Sequence, residues 1–232
     1  LPAKVALELK STGRVNPMLY KSATVMFTDF KGFTRAAEQM TPEQVITELD
    51  QCFSFFDSLM SRYKLEKLKT IGDSYMCVGG VPEPSATHAI DAVLAALEIQ
   101  DFMLQIKSIR EAQGMPYWEL RLGLHSGPLI AGVIGETKFA YDVWGDTVNT
   151  ASRLESSGLP GRVNISRSTY ELVSDFFSVE SRGSIDAKNK GRLEMFFVAG
   201  VQPHLSADPR GRLPNDKFQE MYTTLASNLR MA

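Results

Sequence analysis

The sequence predicts an α/β fold in which helices pack against a β-sheet to form a sandwich. Short apolar, β-prone runs alternate with amphipathic helical patterns along most of the 232 residues, which is typical of such layered folds. A hydrophobic content of 44% is enough for one good core. The sequence contains no internal repeat and no low-complexity tract. We therefore expect one main domain with appendages.

Local signals in the first half of the chain define its elements. Thr41-Pro42-Glu43-Gln44 is a helix start, with Thr41 as the N-cap and Gln44 completing a capping box. Apolar residues then recur at helical spacing to about Tyr63. In chain order we predict a helix over residues 1–10 that is broken at Gly13, a strand over Ala23–Thr28, the capped helix, and a hairpin of Leu65–Thr70 with Ser74–Val78.

The second half continues the alternation of helices and strands. The predicted elements are a helix over Ser85–Gln113 ended by Gly114, strands over Trp118–His125 and Leu129–Ile134 around Gly127-Pro128, a helix over Thr147–Ser156, and a shorter strand–helix–strand run to about Ala199. Residues 201–232 open with Pro, Gly and Asp, which favours a linker, and close with a predicted helix from Asn215 to Leu229.

Composition excludes several functional classes. The net charge is −2 and the pI about 6.0, so bulk electrostatics gives no basis for binding nucleic acid or an anionic membrane. Cys52 and Cys77 lie in apolar segments, which we interpret as reduced core residues of a cytosolic protein. No apolar stretch approaches the ~20 residues of a transmembrane helix. We expect a cytoplasmic domain without membrane contact; because the chain begins at Leu1, a longer, membrane-anchored parent is compatible with it.

Two short segments, Thr28–Thr34 and Thr70–Tyr75, each place an aspartate beside an apolar, β-prone run. Such a carboxylate is costly to bury unless a positive charge lies beside it. Asp29 and Asp73, with a glycine turn after the first, therefore predict hard cations held by oxygen ligands against a phosphate chain. Taken singly, Asp29 is equally compatible with a helix N-cap, and Asp73 with a hairpin turn residue.

Five sequence blocks together resemble the catalytic domain of class III nucleotidyl cyclases. They are MFTDFKGFT, LKTIGDSYM, LRLGLHSGPLIAGVIG, YDVWGDTVNTASRLESSG and KNKG, and the resemblance runs from about Ser22 to Ala199. Each block alone is a weak signal, whereas WGDTVNTASR together with both Asp motifs is a strong one. The resemblance implies a ferredoxin-like, palm-type α/β sandwich. It also implies conversion of a nucleoside triphosphate to its 3′,5′-cyclic monophosphate and pyrophosphate.

The resemblance implies three segments and an upstream partner. We expect residues 1–21 to be an N-terminal linker from an upstream region, residues 22–200 the cyclase catalytic domain, and residues 201–232 a C-terminal extension with a helix. The segment Leu1–Leu9 resembles the linkers through which sensor domains act on cyclase dimers. We therefore expect a sensor domain upstream in the parent chain.

Metal and phosphate ligands are assigned by the same resemblance. Asp29 and Asp73 would hold two Mg²⁺ or Mn²⁺ ions per active site, with the Phe30 carbonyl oxygen as a further ligand. Backbone N–H groups at a glycine turn can cradle phosphates. Those expected to do so belong to Phe30, Lys31, Gly32, Phe33 and Thr34.

A second group of residues would act on the ribose and the phosphates. Asn149 and Arg153 are four residues apart, so they project from one helix face. By resemblance Asn149 orients the ribose, Arg153 stabilises charge on the α-phosphate, and Lys190 contacts the β- and γ-phosphates. The alternatives are a surface ion pair of Arg153 with Glu155 or its neighbours, and a solvated loop charge for Lys190.

The base is expected to be adenine. Its pairing edge offers one acceptor and one donor, so a matching site needs one donor and one acceptor from the protein. Lys69 supplies the donor and Asp142 the acceptor. Guanylyl cyclases resemble this pattern except for Glu at the first position and usually Cys at the second. The alternative is that Lys69 and Asp142 only pair with each other on the surface.

The resemblance implies an ATP-using homodimer with composite active sites. Each site would take Asp29 and Asp73 from one chain and the base, ribose and phosphate residues from the other. Both sets are complete in this chain, which argues for two working sites. The alternatives are a guanylyl or mixed-specificity cyclase and a cyclase-like regulatory module without turnover. A diguanylate cyclase is disfavoured because its Gly-Gly-Asp-Glu-Phe signature is absent.

Overall fold

One mixed β-sheet organises the fold. The computed structural model describes residues 1–33, 37–38, 40–135, 137–187 and 191–228. The strands in these ranges are β1 (Met18–Lys31), β2 (Leu65–Ile71), β3 (Ser74–Gly79), β4 (Glu119–Ile134), β5 (Ala140–Trp144), β6 (Val163–Ser166), β7 (Phe177–Ala187) and β8 (Gly191–Val201). The helices are α1 (Ala3–Thr12), α2 (Pro42–Arg62), α3 (His88–Ala112), α4 (Asp146–Ser156), α5 (Arg167–Val173) and α6 (Asp216–Asn228).

The sheet separates two layers. Its strand order is β2-β3-β1-β4-β6-β8-β7, and β5 pairs with β4 off this path. Only the pairing of β4 with β6 is parallel among the described strands. Helices α2, α3, α5 and α6 cover one face, where the main core lies. Helices α1 and α4 and strand β5 cover the other. This arrangement confirms the predicted α/β sandwich.

The central strand β1 contributes to the cores on both faces. Met26 and Phe30 are buried beneath the helices together with Phe56 of α2. Val25 points to the opposite face and packs there with Met76 of β3. Because side chains alternate along a strand, burial on both faces requires a nearly continuous apolar run. This explains why the sequence around these residues shows no polar alternation.

Strand β1 is longer than the predicted strand Ala23–Thr28. Its first residues, from Met18 onward, pair with β4 across a register shift between Tyr20 and Ala23. Two polar residues lie at this β-bulge, so the apolar run stops there although the strand continues. At the other end the pairing runs to Lys31, which places Asp29 inside the strand.

Strand β4 is continuous over 16 residues, whereas the sequence predicted two strands around Gly127-Pro128. That prediction was wrong because Pro128 breaks no ladder bond here. On one side the proline faces the bulge of β1. On the other side, pairing with β6 ends at Leu124 and pairing with β5 begins at Ile130. A strand tolerates proline where its missing N–H has no partner.

Strand β5 and one strand near the C-terminus are not among the predicted elements. In β5, Tyr141 and Val143 are buried and their neighbours face outward, a period-two signal that could have been recognised. The expected strand–helix–strand run is instead β6, α5 and the hairpin β7–β8. The sequence predicts a single strand in place of this hairpin because residues 178–186 are largely polar and exposed.

Helix boundaries largely follow the capping signals. The predicted capping box of α2 is confirmed: Thr41 and Gln44 each accept the other's backbone N–H through a side-chain oxygen. Helix α3 begins at His88 instead of Ser85, because the Ser85 hydroxyl accepts the N–H of Thr87 and holds a turn there. No helix of the described ranges is both long and apolar enough to cross a membrane.

Both terminal segments pack on the domain. The predicted first helix is confirmed as α1: Gly13 ends it in the left-handed region with φ of 74°, and Val5 is buried beneath the sheet. The predicted C-terminal helix is present as α6, with Leu229 outside the described residues. Its Phe218 lies in the main core, with its ring centroid 5.0 Å from that of Phe176. The tail therefore completes the core.

Cys52 and Cys77 lie in the main core as free thiols. Burial raises the pKa of both, that of Cys52 to about 12. Neither is a thiolate at neutral pH, which makes them poor nucleophiles. The prediction that both are reduced core residues is confirmed.

Candidate active site

The two predicted metal ligands lie side by side. Asp29 is in β1, and Asp73 is in the turn between β2 and β3. Because β1 and β3 pair with Thr28 opposite Tyr75, the turn lies next to Asp29. Burial raises the pKa of Asp73, and the negative charge of Asp29 raises it further, while the backbone N–H of Phe30 lowers it. Two carboxyl groups that repel each other in this way form a site that favours a cation.

The structure resolves both alternatives for these aspartates. Asp29 is paired inside β1, so an N-cap role is wrong for it. Its Oδ1 accepts the hydroxyl of Ser74 at 2.9 Å, and its Oδ2 accepts Arg121 Nη2 at 2.8 Å. Asp73 does occupy the hairpin turn, after Gly72 in the left-handed region. The turn position and the proximity to Asp29 coexist, because the turn is what carries the carboxyl group to β1.

Arg121 and Glu155 belong to this cluster, although sequence reasoning missed them. Arg121 of β4 lies directly opposite Asp29 in the strand register. Its Nε is 3.0 Å from Glu155 Oε1 of α4, an ion-pair distance whose angle is not that of a hydrogen bond. Burial raises the pKa of Glu155 to about 7, against the lowering effect of Arg121. An arginine within the apolar alternation of β4 was the available signal.

The oxygen atoms of Asp29, Asp73 and the Phe30 backbone fit a divalent cation site whose remaining ligands come from outside the protein. The described residues contain no group of three or more His, Cys, Asp and Glu side chains that could hold a metal. Asp29, Asp73 and the Phe30 backbone therefore offer an incomplete oxygen set. Mg²⁺ is commonly bound in this way, by one or two carboxylates together with water and substrate phosphates.

The predicted phosphate turn is partly described. Gly32 adopts φ of 72°, a left-handed conformation that favours glycine, and space is open where a side chain would begin. Phe33 anchors the turn by packing its ring against Trp118, with centroids 5.0 Å apart. Lys31 is exposed at the end of β1. Thr34 lies outside the described residues.

The two predicted base-reading residues form an ion pair within one chain. Lys69 Nζ of β2 contacts Asp142 Oδ2 of β5. The lysine side chain is 42% exposed and the aspartate 13%. The other carboxylate oxygen, Oδ1, accepts the N–H of Val143 at 2.9 Å, which orients Asp142. The pairing given as the alternative is thus present, and it brings the donor and the acceptor to one place.

Helix α4 presents the two predicted catalytic residues outward. Ala151 and Leu154 are buried against the sheet, whereas Asn149 is exposed and Arg153 half-buried. Within the described residues the Arg153 guanidinium has no ion-pair or hydrogen-bond partner. Its alternative pairing with Glu155 is wrong, because Glu155 pairs with Arg121.

Lys190 lies outside the described residues, but the strands on either side of it are described. These strands, β7 and β8, pack on Leu154 of α4 through the residues Ile185, Ala187, Leu193 and Met195. The hairpin that carries the predicted phosphate lysine is thereby fixed to the helix that carries Arg153.

The predicted site residues form two separate groups. One contains Asp29 and Asp73, and the other contains Lys69 and Asp142, with the outward face of α4 as a further surface. No hydrogen bond or ion pair between described residues joins the carboxylate group to the base group. Each group has the chemistry for one part of a nucleoside triphosphate, but neither has it for the whole.

Comparison with known proteins places the chain among nucleotide cyclases. The family model described as the adenylate and guanylate cyclase catalytic domain matches residues 15–200. An adenylate cyclase of Mycobacterium tuberculosis is 40% identical over 210 residues, which are 90% of this chain and 46% of that protein. Human guanylyl cyclase C is 39% identical over 206 residues, 87% of this chain and 19% of that protein. This chain thus spans about half and about a fifth of their lengths.

A solved structure agrees with this placement. The guanylate cyclase domain of RhGC from Catenaria anguillulae, in complex with GTP, superposes with a TM-score of 0.74 at 34% identity, covering 80% of this chain and 100% of that one. Class III cyclases generally use divalent metal ions, in keeping with the carboxylate pair Asp29 and Asp73. With a family model over most of its length and relatives of both activities, this chain belongs to the class III adenylyl and guanylyl cyclase catalytic domains.

Proposed function

We propose that this domain converts ATP to 3′,5′-cyclic AMP and pyrophosphate at sites shared across a homodimer. The observation that carries the choice of ATP is the contact between Lys69 and Asp142. Overall similarity does not choose the base, because adenylyl and guanylyl relatives are about equally similar to the chain. The residues that face the base must therefore decide it.

Lys69 and Asp142 match the pairing edge of adenine. The ammonium group donates to N1, and the carboxylate accepts from the N6 amino group. Guanine presents an acceptor where adenine has the amino group, and N–H donors where adenine has N1. Guanine would therefore place its acceptor opposite the Asp142 carboxylate and its N–H donors opposite the Lys69 ammonium group. Each mismatched contact costs ~1–3 kcal/mol, so preference for ATP should be large but finite.

The reaction requires in-line attack on the α-phosphorus. The ribose 3′-oxygen forms a bond to this phosphorus, the bond to the pyrophosphate oxygen breaks, and the 3′-hydroxyl proton passes to solvent water. Divalent cations at Asp29 and Asp73 would supply a lowered pKa for the 3′-hydroxyl and neutralisation of the triphosphate. The backbone of the Gly32 turn holds the phosphates.

Residues on the outward face of α4, together with Lys190, complete the site. Asn149 orients the ribose, and the planar guanidinium of Arg153, which no carboxylate of the described residues neutralises, binds the α-phosphate oxygens. Lys190 binds the β- and γ-phosphates from the adjacent hairpin. These groups favour the transition state because charge on the phosphate oxygens develops where they already lie.

A twofold homodimer brings the two groups of residues together. Lys69 lies on β2 and Asp73 in the turn that follows this strand, yet Lys69 engages Asp142 and not the carboxylate pair. A partner chain related by a twofold axis would place its base-reading residues beside the carboxylate pair of the first chain, and its own carboxylate pair beside the base-reading residues of the first chain. Large apolar side chains are exposed beside both groups, which favours a protein interface there. They are Ile71, Phe139 and Trp144.

The base assignment is tested by exchanging its hydrogen-bonding pattern. In Lys69→Glu with Asp142→Cys, the ratio of GTP to ATP turnover should rise on the order of tenfold to a hundredfold, because both contacts then suit guanine. Either change alone should chiefly reduce ATP turnover, by leaving a polar group unpaired. The measurement is production of cyclic AMP and cyclic GMP, side by side, with Mn²⁺.

The matched control is Lys67→Glu, a charge reversal on the same strand at a lysine that pairs with Asp57. It should leave the ratio unchanged. If the double variant also kept the native ratio, Lys69 and Asp142 would have no part in base recognition.

A guanylyl or mixed-specificity cyclase is the second candidate. It is favoured by the GTP complex of the similar guanylate cyclase domain and by the identity to guanylyl cyclase C. Native turnover of GTP at a rate equal to or above that of ATP would select it.

A further inference from the structure

Glu155 is a buried carboxyl group that the proposed reaction does not use. The residue is 8% exposed, and its Oε1 lies 3.0 Å from Arg121 Nε. Both atoms are fully buried, and neither has a hydrogen-bond partner within the described residues. The same guanidinium donates through Nη2 to Asp29 Oδ2 at 2.8 Å. Arg121 thus donates a hydrogen bond to one carboxylate and forms an ion pair with a second.

The backbone fixes this second acceptor in place. Gly123 lies two residues after Arg121 on β4, so it faces the same side of the sheet. A Cβ at Gly123 would lie 2.0 Å from the backbone nitrogen of Glu155. Helix α4 therefore rests directly on the strand, and the start of the Glu155 side chain is held beside Arg121 by main-chain packing.

The Arg121 contact bears directly on the cation site. The Ser74 hydroxyl donates to Asp29 Oδ1, and Arg121 Nη2 donates to Asp29 Oδ2. A cation that binds Asp29 competes with the Arg121 guanidinium for this carboxylate and brings further positive charge beside it. An arginine whose only counterion was Asp29 would resist displacement, since leaving would strand its charge in a partly buried place. A second carboxylate within reach removes that obstacle.

We propose that Glu155 is a positioning residue for the cation site: it accepts the Arg121 guanidinium and so frees the Asp29 carboxylate for a divalent cation. This inference rests on the proposed role of Asp29 as a cation ligand. It follows that Glu155→Gln should weaken cation binding, because Arg121 would then compete for Asp29 with its full charge. Removing Arg121 as well should relieve the competition.

The test measures binding of Mn²⁺ alone, without nucleotide, from the loss of the free-Mn²⁺ paramagnetic resonance signal at pH 8. Glu155→Gln should weaken binding on the order of tenfold. Arg121→Gln with Glu155→Gln should bring the affinity back to within about threefold of native. The matched control is Glu180→Gln, which removes the carboxylate from an exposed Arg162 ion pair and should change nothing. Asp29→Asn should abolish binding.

The outcomes separate this inference from the proposed function. If Asp29→Asn binds Mn²⁺ like the native chain, or the native chain binds none, the cation site itself is wrong. If Asp29→Asn loses binding while Glu155→Gln matches Glu180→Gln, the cation site stands and the role of Glu155 is overturned. Failure of the double variant to recover would also overturn it, because Glu155 would not act through Arg121.

Folding is controlled by a second variant. Thermal unfolding of each variant is followed by circular dichroism. Should Glu155→Gln fail to fold, Glu155→Asp keeps the charge but withdraws it from Arg121 by one methylene. It should weaken Mn²⁺ binding in the same direction and by less. Native affinity in a folded Glu155→Asp would contradict the proposal.

Discussion

Replacing Asp73 with alanine should abolish turnover, with a loss of roughly a thousandfold or more, while leaving the domain folded. Activity is lost because a cation ligand is missing, whereas no cavity forms at a turn. The fold should not suffer, since burial and repulsion from Asp29 already raise the pKa of Asp73 and the alanine variant removes that repulsion. Cyclic nucleotide production with Mn²⁺ and thermal unfolding measure the two effects.

The matched control for this variant is Asp50→Ala on the exposed face of α2. It removes the same charge away from the carboxylate pair and should retain native activity. If Asp73→Ala kept near-native activity with Mn²⁺, the assignment of the two aspartates to cations would be wrong.

Mixing two inactive variants should restore activity if the sites are shared. Asp73→Ala and Arg153→Ala should each be nearly inactive, because every site of either homodimer lacks one essential group. With random exchange, about half of the dimers are mixed, and each mixed dimer holds one intact and one doubly damaged site. Activity should then recover to roughly a quarter of native if the sites work independently.

The mixing experiment needs proof that mixed dimers exist, which native mass measurement provides when one variant carries a mass label. Recovery should follow the fraction of mixed dimers. If mixed dimers formed without recovery, the residues of each site would come from a single chain, and the homodimer with composite sites would be excluded.

Local signals predicted the elements whose boundaries depend on neighbouring residues. The capping box of Thr41 and Gln44 is an interaction within one turn, so four consecutive residues suffice to predict the start of α2. The path of β4 through Pro128 could not be predicted in this way. Whether the proline breaks a strand depends on which neighbours pair there, and β1, β5 and β6 are distant in sequence.

In the candidate site too, some residues can be predicted from their neighbours in sequence, whereas others depend on contacts between distant segments. Asp29 and Asp73 could be identified from the sequence because each lies beside an apolar run that predicts a strand. Arg121 and Glu155 could not be joined to them without the register of β1 on β4 and the contact of α4 at Gly123. From the sequence alone, Glu155 is a candidate partner only for Arg153, its near neighbour. The structure pairs it with Arg121, because helix packing and not sequence distance decides which charges meet.

Turnover of ATP and GTP by the unaltered chain tests the proposed function most directly. Purified protein is incubated with each nucleotide separately and with Mn²⁺, and cyclic AMP, cyclic GMP and pyrophosphate are quantified. We expect cyclic AMP and pyrophosphate in equal amounts, with cyclic GMP formed at least about tenfold more slowly. Cyclic GMP at an equal or higher rate would contradict the assignment of Lys69 and Asp142 to adenine, and no product from either nucleotide would contradict catalysis by this domain.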